Sequence, residues 1–140
     1  MIIQAFEDIY RDEVIALWRK CELLKPWNDP DKDISRKLSE HPELFLIGLA
    51  DTCVVATAMG GYDGHRGWVN YLAVDPDSQH QGLGRTLMTQ LEERLIALGC
   101  PKINLQVRST NPSVIAFYRS CGYAVDEVTS MGKRLISDLD

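Results

Sequence analysis

The sequence predicts an α/β domain layered around a mixed β-sheet, and three observations lead there. Segments that alternate apolar and polar residues, as strands do, interleave with segments whose apolar residues recur every three or four positions, as in helices. The stretch from Trp68 to Gly99 runs strand, turn, glycine-bearing loop and helix as one continuous unit. The chain has 140 residues, 45% hydrophobic and 25% charged, which suits one domain over residues 1–140 with a real core. No repeat, low-complexity segment or linker interrupts the sequence.

Ile2 to Phe6 reads as a short first strand, and Val14, Leu17, Trp18 and Cys21 then form one face of a helix. Asp29-Pro30 supplies the cap and first-turn proline of a second helix, which turns Ile34 and Leu38 inward and ends near His41-Pro42. Trp27, between these helices, has no periodic partner; it either packs beneath a loop or walls a substrate site. Leu44 to Ala50 and Cys53 to Met59 give two strands joined at Asp51-Thr52, a hairpin without the usual glycine. Gly60 to Gly67 then turns the chain; its Asp63, His65 and Arg66 read either as a solvated loop or as groups available to a reaction.

Trp68, Val69, Tyr71, Leu72 and Val74 make a central strand, stopped by Asp75-Pro76 because proline cannot donate to a sheet ladder. Beyond Gly84, Leu87, Leu91, Leu95 and Leu98 recur at helical spacing until Gly99 and Pro101 end the helix. The join is Gln79-His80-Gln81-Gly82-Leu83-Gly84. A helix start offers unpaired N–H groups and a partial positive charge, and glycines permit close approach, so this loop suits an anion such as a phosphate. An ordinary strand-to-helix turn is the alternative, and G-x-G-x-x-G fails because Leu87 stands where its last glycine is due.

Ile103, Leu105 and Val107 alternate with Asn104, Gln106 and Arg108 as a strand with two different faces. Asn111-Pro112 starts the last helix, with Val114, Phe117, Tyr118 and Cys121 on one stripe and Gly122 closing it. Tyr123 to Asp126 and Val128 to Leu135 read as two closing strands before a charged tail.

A net charge of −5 disfavours a nucleic-acid partner, and a cationic substrate suits the balance better. Cys21, Cys53, Cys100 and Cys121 form no C-x-x-C pair, which argues against zinc or a redox dithiol and reads as small buried hydrophobes in a reducing compartment. The first residues lack the charged and apolar regions of a signal peptide, and no apolar run is long enough for a bilayer. A cytoplasmic protein without membrane partners is expected.

Gln79 to Gly84 resembles the Q/R-x-x-G-x-G/A pattern of the GNAT N-acetyltransferases, and like the family's it follows a strand ending Leu-Ala-Val-Asp-Pro. Leu105 to Tyr123 resembles the family's later strand, asparagine-started helix and Tyr-x-x-x-Gly-Tyr/Phe ending. Together the two blocks cover roughly a third of the chain. The YDGHRG and GKRLI segments, with Lys25 to Pro30, resemble a narrower bacterial group, the YpeA acetyltransferases.

This resemblance implies a single-domain GNAT-like fold, with a mixed, mostly antiparallel sheet splayed in the middle and flanked by about four helices. It also implies acetyl-CoA as cosubstrate, no metal, and an amine acceptor on a small molecule or protein. The pantetheine arm would pair with the backbone of Leu72, Ala73 and Val74. The pyrophosphate would rest on the amides of Gln79, His80, Gln81, Gly82, Leu83, Gly84 and Arg85, helped by the Arg85 and Thr86 side chains. Asn111 is implied as a coenzyme contact, and Tyr118 as the general acid that protonates the departing thiolate. A phenol near pKa ~10 giving a proton to a thiol near ~8.5 is uphill by about 2 kcal/mol.

The family's glutamate base has no counterpart, since Asn70, Tyr71 and Leu72 occupy that part of the strand. Asp63, His65 or a water chain remain as bases, and Trp27, Asp63 and Tyr71 as substrate contacts. A weak base suits an α-amino group, roughly a tenth neutral at pH 7, better than a lysine near 10.4. Two other readings stand beside this one: a protein N-terminal acetyltransferase of the ribosomal-protein type, and a non-catalytic acyl-CoA-binding module. A monomer or homodimer is expected.

Overall fold

The computed structural model describes residues 1–139, in which five strands lie side by side in sequence order. These are β1 (Ile2–Ala5), β2 (Phe45–Ala50), β3 (Cys53–Tyr62), β4 (Gly67–Val74) and β5 (Ile103–Asn104). The first four pair antiparallel, and β5 returns parallel to β4. Helices α1 (Arg11–Lys20) and α2 (Pro30–Lys37) cover one face of this mixed sheet, α3 (Leu83–Ala97) and α4 (Pro112–Ser120) the other.

Alternation along β2 explains why its sequence is apolar throughout. Phe45 and Ile47 pack with Val14, Trp18 and Ile34 on one face, while Leu46 packs with Leu87, Leu91 and Leu95 on the other. The second helix starts where expected: the Asp29 carboxylate accepts from the amides of Asp31 and Lys32, and Pro30 opens the first turn. At the β2–β3 turn Asp51 and Thr52 both take positive φ, 51° and 69°, so the two-residue hairpin is made without glycine.

The sheet splays at β4. Only Gly67 and Trp68 pair with β5, so from Val69 to Val74 the outer edge of β4 has no strand partner among the described residues. The expected strand through Val107 therefore stops at Asn104. The two closing strands over 123–126 and 128–135 do not form. A strand needs an edge to pair with, and a two-residue β5 offers too short a ladder. Side chains fasten this segment instead: Tyr123 donates to Glu92 at 2.7 Å, Lys102 meets Asp126 at 2.8 Å, and Gln106 meets the Ser130 hydroxyl. The cysteines also depart from expectation, since Cys53 is exposed beside the hairpin turn and the other three are only half-buried. No described helix is long and apolar enough to cross a membrane, and no described group of three His, Cys, Asp or Glu is gathered to hold a metal.

Candidate active site

The splay is accompanied by a bulge. Thr57 pairs with Ala73 and Met59 with Asn70, so Tyr71 and Leu72 together face Ala58, and Tyr71 takes φ +51°. A left-handed non-glycine residue costs on the order of 1 kcal/mol and persists only where its surroundings fix it. The fixings here are specific. The Thr57 hydroxyl donates to the Tyr71 carbonyl at 2.8 Å and accepts from the Trp18 indole N–H at 2.9 Å. The Tyr71 ring lies 3.8 Å from that of Trp18, and its hydroxyl donates to Asp33 at 2.6 Å. Burial, then Asp33, push the Tyr71 phenol well above its ordinary pKa, which keeps it a neutral donor. Sequence reasoning missed Thr57 and Asp33, because nothing local marks either one.

At the far end of β4, His80 and Gly82 take positive φ, 65° and 76°, and Gly82 caps α3 with open space where a Cβ would stand. No side chain caps this helix and no acidic residue sits in its first turn. The first amide to bond within it is that of Thr86, to the Gly82 carbonyl at 3.0 Å, so the amides of Leu83, Gly84 and Arg85 precede the intrahelical ladder.

Four details add to the sequence-based expectation. A Cβ on Gly84 would meet the Phe117 ring at 3.1 Å, so this glycine also serves the close packing of α3 on α4. The Arg85 guanidinium donates to the Ser120 carbonyl at 2.6 Å and is thereby tied to the end of α4. The Thr86 hydroxyl donates back to the Gly82 carbonyl at 2.9 Å. The Val74 carbonyl already accepts from Gln79 Nε2 at 3.2 Å and the Cys21 thiol at 3.4 Å.

Tyr118 sits in α4 with its ring edge-on to Phe117 and Tyr123. It is 8% exposed, and no described residue hydrogen-bonds its hydroxyl. Burial pushes this phenol up to about 12. Tyr118 belongs to the wall of an open cleft of about 1230 Å³, with Leu95, Gln106, Val107 and Tyr123. Asn111, exposed at the start of α4, accepts from the Ser113 hydroxyl at 3.2 Å.

Trp27 is 45% exposed and carries the Arg108 guanidinium over its ring at 5.5 Å. It lines a second cavity, about 710 Å³, with Arg36, Gln106 and residues 132–136. Gln106 borders both cavities. Asp63 stands apart from these groups, in the turn at the opposite end of β4 from the glycine loop. Its carboxylate accepts from the amides of Arg66 and His65 and from the Trp68 indole, and those bonds hold its pKa below the ordinary carboxylate range. An acid so satisfied is a poor proton acceptor.

Residues 4–123 match the acetyltransferase (GNAT) family. The chain is similar over 138 residues to an acetyltransferase of Yersinia enterocolitica, at 48% identity over 99% of this chain and 98% of that protein. An acetyltransferase of Sodalis glossinidius is 50% identical over 139 residues, again 99% and 98% of the two chains. The fold is also similar to that of a putative acetyltransferase from Agrobacterium tumefaciens, with a TM-score of 0.80 at 16% identity over 96% of this chain and 100% of that one. Matched along nearly its whole length, the chain belongs to the GNAT acetyltransferase family and is an N-acetyltransferase.

Proposed function

We propose that the acetyl donor is acetyl-CoA and that the group passes directly to a primary amine, with no covalent enzyme intermediate. One conjunction carries this reading: an uncapped helix N-terminus beyond the end of a strand whose outer edge, from Val69 to Val74, is unpaired among the described residues. The diphosphate rests on the amides between Gln79 and Arg85, where fixed N–H dipoles offset its charge without a lysine. The pantetheine arm then runs along β4 beside Leu72 and Ala73, in the place a sixth strand neighbour would take, and brings the thioester toward Tyr118. Asn111 contacts the arm from the start of α4.

The amine nitrogen attacks the thioester carbonyl; a C–N bond forms, the C–S bond breaks, and the electron pair leaves on sulfur. Tyr118 protonates that sulfur, while the proton lost by the amine goes to water, and the phenolate is reprotonated from solvent. Burial raises the phenol, but a thiolate leaving in the same apolar cleft is raised with it. The two shifts run in the same direction and so offset one another in part. Asp63 takes no part, its carboxylate being occupied by three donors.

The test is calorimetric titration with acetyl-CoA and free CoA, followed by thiol-release assays on a panel of amines. Binding of both coenzyme forms, with acceptor-dependent release of thiol, is expected. Absence of binding by either form would sink the reading.

A further inference from the structure

We propose that the acceptor is a primary amine carrying its own carboxylate, an α-amino acid being the simplest case, and that Arg108, Lys133 and Arg134 hold that carboxylate around Trp27. The proposal rests on the acetyl-transfer reading above and specifies its acceptor side.

The argument begins with charge pairing. Acids outnumber Lys and Arg by 20 to 15, yet few of the cations are paired. Arg11 pairs with Asp8 and Asp31, Lys20 with Asp75 and Asp77, Arg36 with Asp33 and Asp138, and Lys102 with Asp126. Most other Lys and Arg side chains, Arg19, Lys37, Arg66, Arg85, Arg94 and Arg119 among them, form no ion pair with a described residue; what distinguishes Arg108, Lys133 and Arg134 is that they gather around Trp27. Arg108 lies over the Trp27 ring, and Lys133 and Arg134 line the same cavity as Trp27.

No described acid pairs with them directly, although Asp138, itself paired with Arg36, lies near enough to Arg134 to be stabilised by its charge. Arg134 donates to Asn28 Oδ1 at 2.7 Å and to the Ile136 carbonyl at 3.2 Å, both uncharged acceptors. A guanidinium lying on an aromatic face keeps N–H donors at its edge, in the planar fork that fits a carboxylate. The neighbouring acids are committed elsewhere: Asp29 caps α2, Asp33 accepts from Tyr71 and Arg36, and Asp138 is taken by Arg36 and the Asp29 amide. Local positive charge thus sits in an acidic chain, the reverse of the cationic substrate that net charge suggested.

Position connects this cavity to the chemistry. Gln106 is a shared wall of the cation-lined cavity and of the cleft that holds Tyr118. A short acceptor whose carboxylate stays with the cations reaches that shared wall with its amine. About 710 Å³ is ample for an amino acid.

The test compares each of the twenty α-amino acids with its α-carboxamide as acceptor, by thiol release at pH 7. An amide withdraws electrons and leaves more of its amine neutral than the acid does, so intrinsic reactivity favours the amide, and a preference for the acid must come from binding. We expect at least one acid to exceed its amide by about tenfold or more in kcat/KM, through a lower KM. Arg108→Gln and Arg134→Gln each cut that ratio by about tenfold, and the corresponding lysine variants restore part of it. Coenzyme titration of the same variants shows that they are folded. Amides that match or exceed their acids in every pair, or a ratio that neither glutamine variant moves, would overturn the proposal. Protein that binds the coenzyme yet acetylates neither member of any pair overturns it too, whereas protein that fails to bind the coenzyme overturns the underlying reading instead.

Discussion

Tyr118 lines a cleft, its hydroxyl has no hydrogen-bond partner among the described residues, and the phenol is raised to about 12 by burial. Being protonated below that value, it stays a donor throughout the working pH range. Tyr118→Phe should therefore lower kcat by about 100-fold or more while coenzyme affinity changes little, as calorimetry and steady-state kinetics will show. In the wild type, rate should rise with pH as the amine loses its proton, with no alkaline fall from Tyr118 below about pH 11. Tyr118 was singled out in the sequence because its helix carries a recognisable run of residues. Thr57 was not, because its role depends on a register between two strands that sequence alone does not reveal. Thr57→Val removes the hydroxyl that joins the Trp18 indole to the Tyr71 carbonyl, leaving a buried donor and acceptor unpaired. A loss of about 2–3 kcal/mol in urea unfolding is expected. Asp63 was readable as a polar turn residue; that its carboxylate is fully engaged depends on the path of the turn around it.

At the scale of elements, helix α3 crosses the sheet where Gly60 leaves room for it. A Cβ there would come within 2.3 Å of Leu91 Cδ1 and 2.9 Å of the Leu44 carbonyl oxygen, and the backbone atom cannot yield as a side chain can. Gly60→Ala should destabilise the fold by about 1–3 kcal/mol, measured as a lowered denaturation midpoint with an unchanged m-value. Strands β1 to β4 and all four helices were legible because each announces itself locally. Alternation, helical spacing and the Asp29-Pro30 and Asn111-Pro112 starts all act within a few residues of one another. The last part of the sheet was not, for the same reason in reverse. Tyr123 to Leu135 has enough apolar residues for strands, but Val125, Val128, Met131 and Leu135 are exposed because the two residues of β5 give them no ladder to extend. Composition speaks for a segment; pairing depends on what stands beside it.

For the molecule as a whole, residues near the end of the chain are joined back to α2 through Asp138, whose carbonyl accepts from Lys32 and whose carboxylate makes the stronger link. The Asp138 side chain is inaccessible to solvent, accepts from Arg36 Nη2 at 2.6 Å and from the Asp29 amide at 3.0 Å, and so fixes residues 132–136 over the Trp27 cavity. Arg36 first, then the Asp29 amide, hold its pKa down to about 2. A carboxyl whose pKa is lower folded than unfolded adds stability above its unfolded value, about 3.9, and loses that contribution as pH falls through the folded one. Asp138→Asn removes the charge and keeps the size. Its melting temperature should lie below wild type by a constant amount above about pH 5, and the difference should shrink steadily from about pH 4 to pH 2, where the wild-type residue is itself becoming neutral. A difference that keeps its full size down to pH 2 would mean that the carboxylate charge does not fasten the tail. A difference absent at neutral pH would mean that Arg36 gains nothing from this partner over an amide. In either case the cavity that brings Trp27, Lys133 and Arg134 together would need another anchor.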